Sequence, residues 1–374
     1  MLRACCRGLI CLASILGFTT ASLACPFCTA LEPSLGQLRE SATTVLLAEV
    51  KSTGEHPEFT LHKVLKPAGG PAPEGELTLT LDPSVKPGTL LLLFGTGQDP
   101  QRPGQLSWKA VNETSYAYFA RAPSRRQPSA KRLAYFVSYL EHAEPLVADD
   151  AYLEFGHAPF GEVEAIAAKL PMEKLRHWME DARVPDARKA FYAMALGLAA
   201  SDADRTANVR LLERLITAPG DDFRTGFDGL LAGYLMLEGD RGLAVIERRY
   251  LADPKARHGD VRHALTALRF CYEYCPGVDK PKLVRAARWL LKRSDFADQV
   301  VVDLARWQDW DCVEQVHALY SPEASVAMRR SVVGYLTTCP TPAARQALAQ
   351  IRKSDPAGAK AAEDSLSGAL QLSK

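Results

Sequence analysis

The sequence predicts an α+β chain of two folding units, a small β barrel or sandwich followed by an α-solenoid of helical repeats. Three observations carry that expectation. Short β-branched or leucine-rich runs, separated by Pro and Gly, extend to residue 120; the apolar period changes from two to about 3.6 after residue 130; and similar helix openings recur at intervals of 36 to 38 residues. A chain of 374 residues, 47% hydrophobic and 24% charged, has globular composition and room for two units. The boundaries read as 1–24 export signal, 25–121 β-rich unit, 122–130 linker, 131–355 repeat array and 356–374 polar tail.

The first 24 residues have the pattern of a cleavable signal: Arg3 and Arg7 supply positive charge, residues 8–18 are apolar, and Ser22, Leu23 and Ala24 precede a cleavage point. An apolar run this short does not span a hydrocarbon layer of roughly 30 Å, so no transmembrane segment is expected. Mature protein then begins at Cys25 and lies in the periplasm, cell envelope or medium, with acylation of Cys25 as a lipid anchor left open. Without Arg3 and Arg7 the chain carries 43 basic against 44 acidic residues, a net charge of −1. That balance does not favour nucleic acid or an anionic membrane. Six cysteines remain, an even number for which disulfides are the ordinary state in an oxidising compartment.

In the β-rich unit, strands are expected at 44–50, 59–65, 76–81, 89–94, 106–111 and 116–120. Pro67 to Pro71 and Pro87-Gly88 break the runs, since proline cannot donate to a ladder and glycine permits the turn. Cys25-Pro26-Phe27-Cys28 at its head has the Cys-x-x-Cys form of a redox pair, whose chemistry needs one activated thiolate and a second, resolving thiol. Thr29 stands where covalent haem attachment needs histidine. With that head, the segment resembles the inhibitory domain of the tissue inhibitors of metalloproteinases, an OB-like barrel whose N-terminal cysteine presents its amine and carbonyl to a protease zinc. The resemblance implies an OB-like fold here and an inhibitory role for Cys25. The family's Cys-x-Cys is replaced by Cys-x-x-Cys, and residues 29 to 120 hold no cysteine to complete its disulfides.

In the array, Leu133, Phe136, Val137 and Leu140 share one helical face, as do Phe227, Leu230, Leu231 and Tyr234, and again Val261, Leu265, Leu268 and Tyr272. Arg188, Arg224 and Arg262 open similar helices, and Asp298 and Arg329 open less regular ones. Units of this length bury their apolar faces only against neighbours. The array resembles HEAT repeats, and its segments at 150–155, 229–234 and 303–307 look like secreted bacterial repeat proteins of unassigned function.

Four array cysteines, Cys271, Cys275, Cys312 and Cys339, sit beside apolar faces and read as buried thiols or disulfides rather than a zinc site, with Cys312 expected to bond Cys275 or Cys339. Asp149-Asp150 and Asp221-Asp222 read as helix caps. Trp307 and Trp310, at a helix junction, are candidates for a recognition surface. No catalytic motif is assembled, and no cofactor or metal is expected. The expected function is a non-enzymatic secreted or envelope scaffold that recognises another protein through the helical-repeat surface. The alternatives are a metalloprotease inhibitor acting through Cys25 and an envelope thiol/disulfide protein using Cys25 and Cys28.

Overall fold

The computed structural model describes residues 27, 32–54, 57–66, 79–97, 106–199, 201–220 and 224–372. It is mostly helical, with a small N-terminal antiparallel sheet.

The chain enters through α1 (Leu35–Ser41), opened by a capping box in which Ser34 accepts from the Gln37 N–H and the Gln37 side chain accepts from the Ser34 N–H. Strands β1 (Thr44–Ser52), β2 (Glu58–Lys66), β3 (Leu90–Gly95) and β4 (Leu106–Val111) follow. They pair antiparallel in the order β2-β1-β3-β4, with Leu47 opposite Leu92 and Leu93 opposite Trp108. The sheet is open, with β2 and β4 at its edges, which corrects the expected barrel: among the described residues no pairing joins those two strands. Its two central strands are buried on both faces, which is why residues 90–94 read as an unbroken apolar run. Val45, Leu47, Leu92 and Phe94 join the apolar core of the helices; Leu46, Ala48, Val50, Leu91 and Leu93 form a second cluster with Leu79 and Val85.

The segment expected as the last strand is instead α2 (Glu113–Arg121). Asn112 and Ser115 form a capping box, and the buried positions Ser115, Tyr118 and Phe119 have helical spacing rather than alternation.

Among the described residues, fifteen α-helices follow the turn at residues 122–128. They are α3 (Ser129–Val137), α4 (Pro145–Gly156), α5 (Phe160–Glu164), α6 (Met172–Glu180), α7 (Asp186–Leu196), α8 (Asp202–Thr217), α9 (Phe227–Glu238), α10 (Asp240–Ile246), α11 (His258–Tyr274), α12 (Lys280–Ala287), α13 (Ala297–Arg306), α14 (Val313–His317), α15 (Val326–Thr338), α16 (Pro342–Ser354) and α17 (Pro356–Leu372). The last occupies the stretch expected as a polar tail and packs on α15.

Helices α7, α9 and α11 pack in succession, as do α13, α15 and α17, while α6 with α8, α10 with α12 and α14 with α16 form a second layer. Ion pairs lace units about one repeat apart: Arg224 to Asp260, Arg269 to Asp303, Arg306 to Glu273 and Arg214 to Glu180. The α7–α9 crossing is close because Gly229 and Gly233 carry no side chain. A Cβ on either would stand 2.1 Å from the carbonyl oxygen of Ala190 or Ala193.

Candidate functional site

Cys25 and Cys28 lie outside the described residues. Phe27 between them is described and buried. Its ring meets Phe270 of α11 at 4.8 Å, and Phe270 also meets Phe160 at 5.1 Å. Phe160 in turn lies 5.0 Å from Tyr274, so one aromatic seat joins the start of the chain, α5 and the end of α11.

The four array cysteines are buried and unbridged. Cys271 and Cys275 face each other in the last turn of α11, with sulfurs 2.8 Å apart, and burial followed by the neighbouring Cys275 thiol raises the Cys271 pKa. Cys312 is not paired with another cysteine; its sulfur lies 3.5 Å from the Tyr335 hydroxyl and 3.8 Å from Asp309 Oδ2. Cys339 neighbours Thr341 Oγ1 at 3.2 Å. Among the described residues no group of three or more His, Cys, Asp or Glu has the arrangement to hold a metal ion.

Trp307 is not available as a recognition ring: it is buried and stacked on Tyr272 at 4.8 Å. Trp310 is half-buried against Tyr335 at 5.3 Å. The exposed tryptophan is Trp289, whose indole N–H donates to Glu247 Oε1 at 2.7 Å.

The structure instead gathers polar chemistry where the N-terminal segment meets α4 and α7. Asp149 and Asp150 lie within α4 and do not cap it, which corrects the capping assignment; Asp221 and Asp222 lie outside the described residues. The two α4 carboxylates turn opposite ways. Asp150 is buried, accepting from the Tyr118 hydroxyl at 2.7 Å and the Leu35 N–H at 2.6 Å. Burial pushes its pKa up to about 6, against the pull of those hydrogen bonds. One turn on, fully buried Glu154 accepts from the Ser34 hydroxyl at 2.5 Å and pairs with Arg132 and Arg125. A Cβ on Gly36 would stand close against its Oε1, so a side chain there would have to displace the Glu154 carboxylate.

Asp149 points to the cleft and pairs with Arg188 of α7, keeping 60% of its side chain exposed. Arg188 also donates to Glu141 Oε1 at 2.9 Å, and the Tyr192 hydroxyl donates to the same oxygen at 2.6 Å. Burial works against the Arg188 charge, but Glu141 and Asp149 outweigh it and hold the pKa above the ordinary arginine value. Glu141 has a left-handed backbone, φ 52°, which is uncommon for a residue with a side chain. Trp178 of α6 packs on Tyr192 at 5.2 Å.

Two cavities meet at this arginine, sharing Asp149, Pro185 and Arg188. One, of about 380 Å³, has Pro33, Leu146 and Leu153 as its apolar floor and Lys109 at its rim. The other, of about 690 Å³, is walled by Glu141, His142, His177 and Trp178. Neither lining includes a serine, threonine or cysteine. Such a cleft offers carboxylate acceptors and imidazoles to a ligand's N–H groups and an apolar floor to its side chains. Sequence reasoning missed it because Arg188 is separated by 39 residues from Asp149 and by 47 from Glu141.

No family model matches this chain, and no curated protein matches it. A solved structure of human deoxyhypusine hydroxylase in complex with glycerol is similar at 16% identity with a TM-score of 0.26, over 67% of this chain and 95% of that one. Likeness at that level carries no argument about activity.

Proposed function

We propose that the protein is an exported, non-enzymatic scaffold whose helices form a solenoid of HEAT-like repeats and whose cleft at Arg188 holds an extended segment of a partner protein. The observation that carries this reading is the pair of cavities meeting at Arg188, with a polar wall and an apolar floor. An extended chain brings backbone N–H groups every few ångströms and side chains alternating to either side, which suits such a lining. Repeat arrays also present extended surfaces suited to protein recognition. Export rests on the N-terminal pattern of charge, apolar run and small residues, with Cys25 as the first mature residue and as the site of any lipid anchor.

The test is a steric block. Ala187 is exposed, lines the smaller cavity and makes no side-chain ion pair, so Ala187→Trp fills the cleft and leaves Arg188 with its carboxylates. The mature chain is expected to capture a partner from envelope extract, with binding at least about tenfold weaker in the variant at an unchanged melting temperature. Undiminished capture by the folded variant removes the cleft from the function.

A further inference from the structure

The cysteine pair at the end of α11 stands apart from the other two array cysteines. Its sulfurs, 2.8 Å apart, lie inside the roughly 3.5–4.0 Å at which even carbon atoms rest in contact. The Cys275 N–H donates to the Cys271 carbonyl at 3.0 Å, so the two residues sit one helical turn apart. Their Cα atoms are then about 6 Å apart, within the roughly 4.4–6.8 Å that a disulfide bridges. Cys312 and Cys339 have hydroxyl neighbours instead. The pair also has a way out: Cys275 ends the helix and is followed by exposed Pro276 and Gly277, so fraying of one turn brings its sulfur to solvent.

We propose that Cys271 and Cys275 form a reversible disulfide in the folded protein, setting the last turn of α11 and with it the Phe270 and Tyr274 rings of the aromatic seat. The oxidant is a disulfide-bearing thiol compound. The Cys275 thiolate attacks one of its sulfurs, releasing one thiol and leaving a mixed disulfide. Cys271 then gives its proton to water and attacks Cys275 Sγ, forming the internal S–S bond and displacing the second thiol. The protein loses two protons and two electrons, and the reagent gains both as two thiols. A ring closed by so few residues constrains the unfolded chain little, so the bond responds to redox poise more than it secures the fold. The proposal is independent of the cleft and of its occupant.

Trypsin releases both cysteines on one peptide, residues 270–282, because Lys280 precedes proline. Folded full-length protein is equilibrated in mixtures of reduced and oxidised glutathione, quenched in acid, denatured, alkylated and mapped without reduction. The doubly alkylated form of that peptide is expected to fall from above about nine-tenths to below about one-tenth across the series. In its place appears the unalkylated peptide at a mass two hydrogen atoms below its dithiol form, while Cys312 and Cys339 stay alkylated throughout. Cys271→Ser, checked for native circular dichroism, is expected to leave Cys275 alkylated or carrying one reversible glutathione. Double alkylation at every mixture overturns the proposal, and so does a bond from either sulfur to Cys25, Cys28, Cys312 or Cys339.

Discussion

Asp150 reports on the seating of the N-terminal segment through its proton. The groups facing it are the Tyr118 hydroxyl from α2, Glu154 on its own helix and Arg39 from α1, yet burial dominates and lifts its pKa from 3.8 to about 6. Between those values the folded chain holds a proton that the unfolded chain has released. Stability from this group therefore falls as pH rises through the window, and the full cost, up to about 3 kcal/mol, is present above pH 6 and relieved below about pH 4. Asp150→Asn removes the charge, keeps one acceptor oxygen for the Leu35 N–H, and leaves the amide NH2 to donate to a turned Tyr118 hydroxyl. Urea unfolding of the two proteins at pH 4, 5, 6 and 7 is expected to show the variant gaining on the wild type as pH rises; a constant difference would contradict the account.

At the scale of helices, α9 rests on α7 through Gly229 and Gly233. Alanine is the better helix former by about 1 kcal/mol, but at Gly229 its Cβ would lie 2.1 Å from the Ala190 carbonyl oxygen, and backbone cannot swing aside as a side chain does. Overpacking then outweighs propensity, and Gly229→Ala is expected to lower stability by about 2 kcal/mol. Gly161→Ala in α5, where nothing lies within 4 Å of the added atom, should be neutral or slightly stabilising. Chemical denaturation of both variants separates crowding from propensity, and equal effects would show that the crossing yields.

Elements were more legible than sites for a related reason. Arg188, Arg224 and Arg262 lie near the starts of α7, α9 and α11, and the apolar face that follows each repeats locally. Leu133, Phe136, Phe227, Leu231, Val261 and Leu265 are buried as their spacing demands. Residues 116–120 read as a strand because Tyr116 to Ala120 is an unbroken apolar run, too short to distinguish the two periods. Whether β2 and β4 meet depends on strands nearly 40 residues apart, and no local pattern encodes that. The cleft escaped for the same reason: its charges come from α4, α7 and the turn at Glu141, and only the fold makes them neighbours.

For the whole molecule, Phe27 is the contact through which the beginning of the chain holds the middle of the array. Its ring is buried against Phe270, which in turn meets Phe160, so Phe27→Ala leaves a void beside α11 and strips one ring from that chain of aromatic contacts. The expected loss is about 3 kcal/mol, the low end for a core phenylalanine. A thermal midpoint unchanged by the substitution would show that the seat holds without it.

That seat also sets an order of events. Phe27 leaves the ribosome early, whereas Phe270 follows roughly 240 residues later, a delay of roughly 12 to 48 s at ordinary elongation rates. For that interval Phe27 has no ring to pack against, while Ser34 and Leu35 already have the carboxylates of α4. The N-terminal segment is thus held at α4 before Phe27 can be seated on α11.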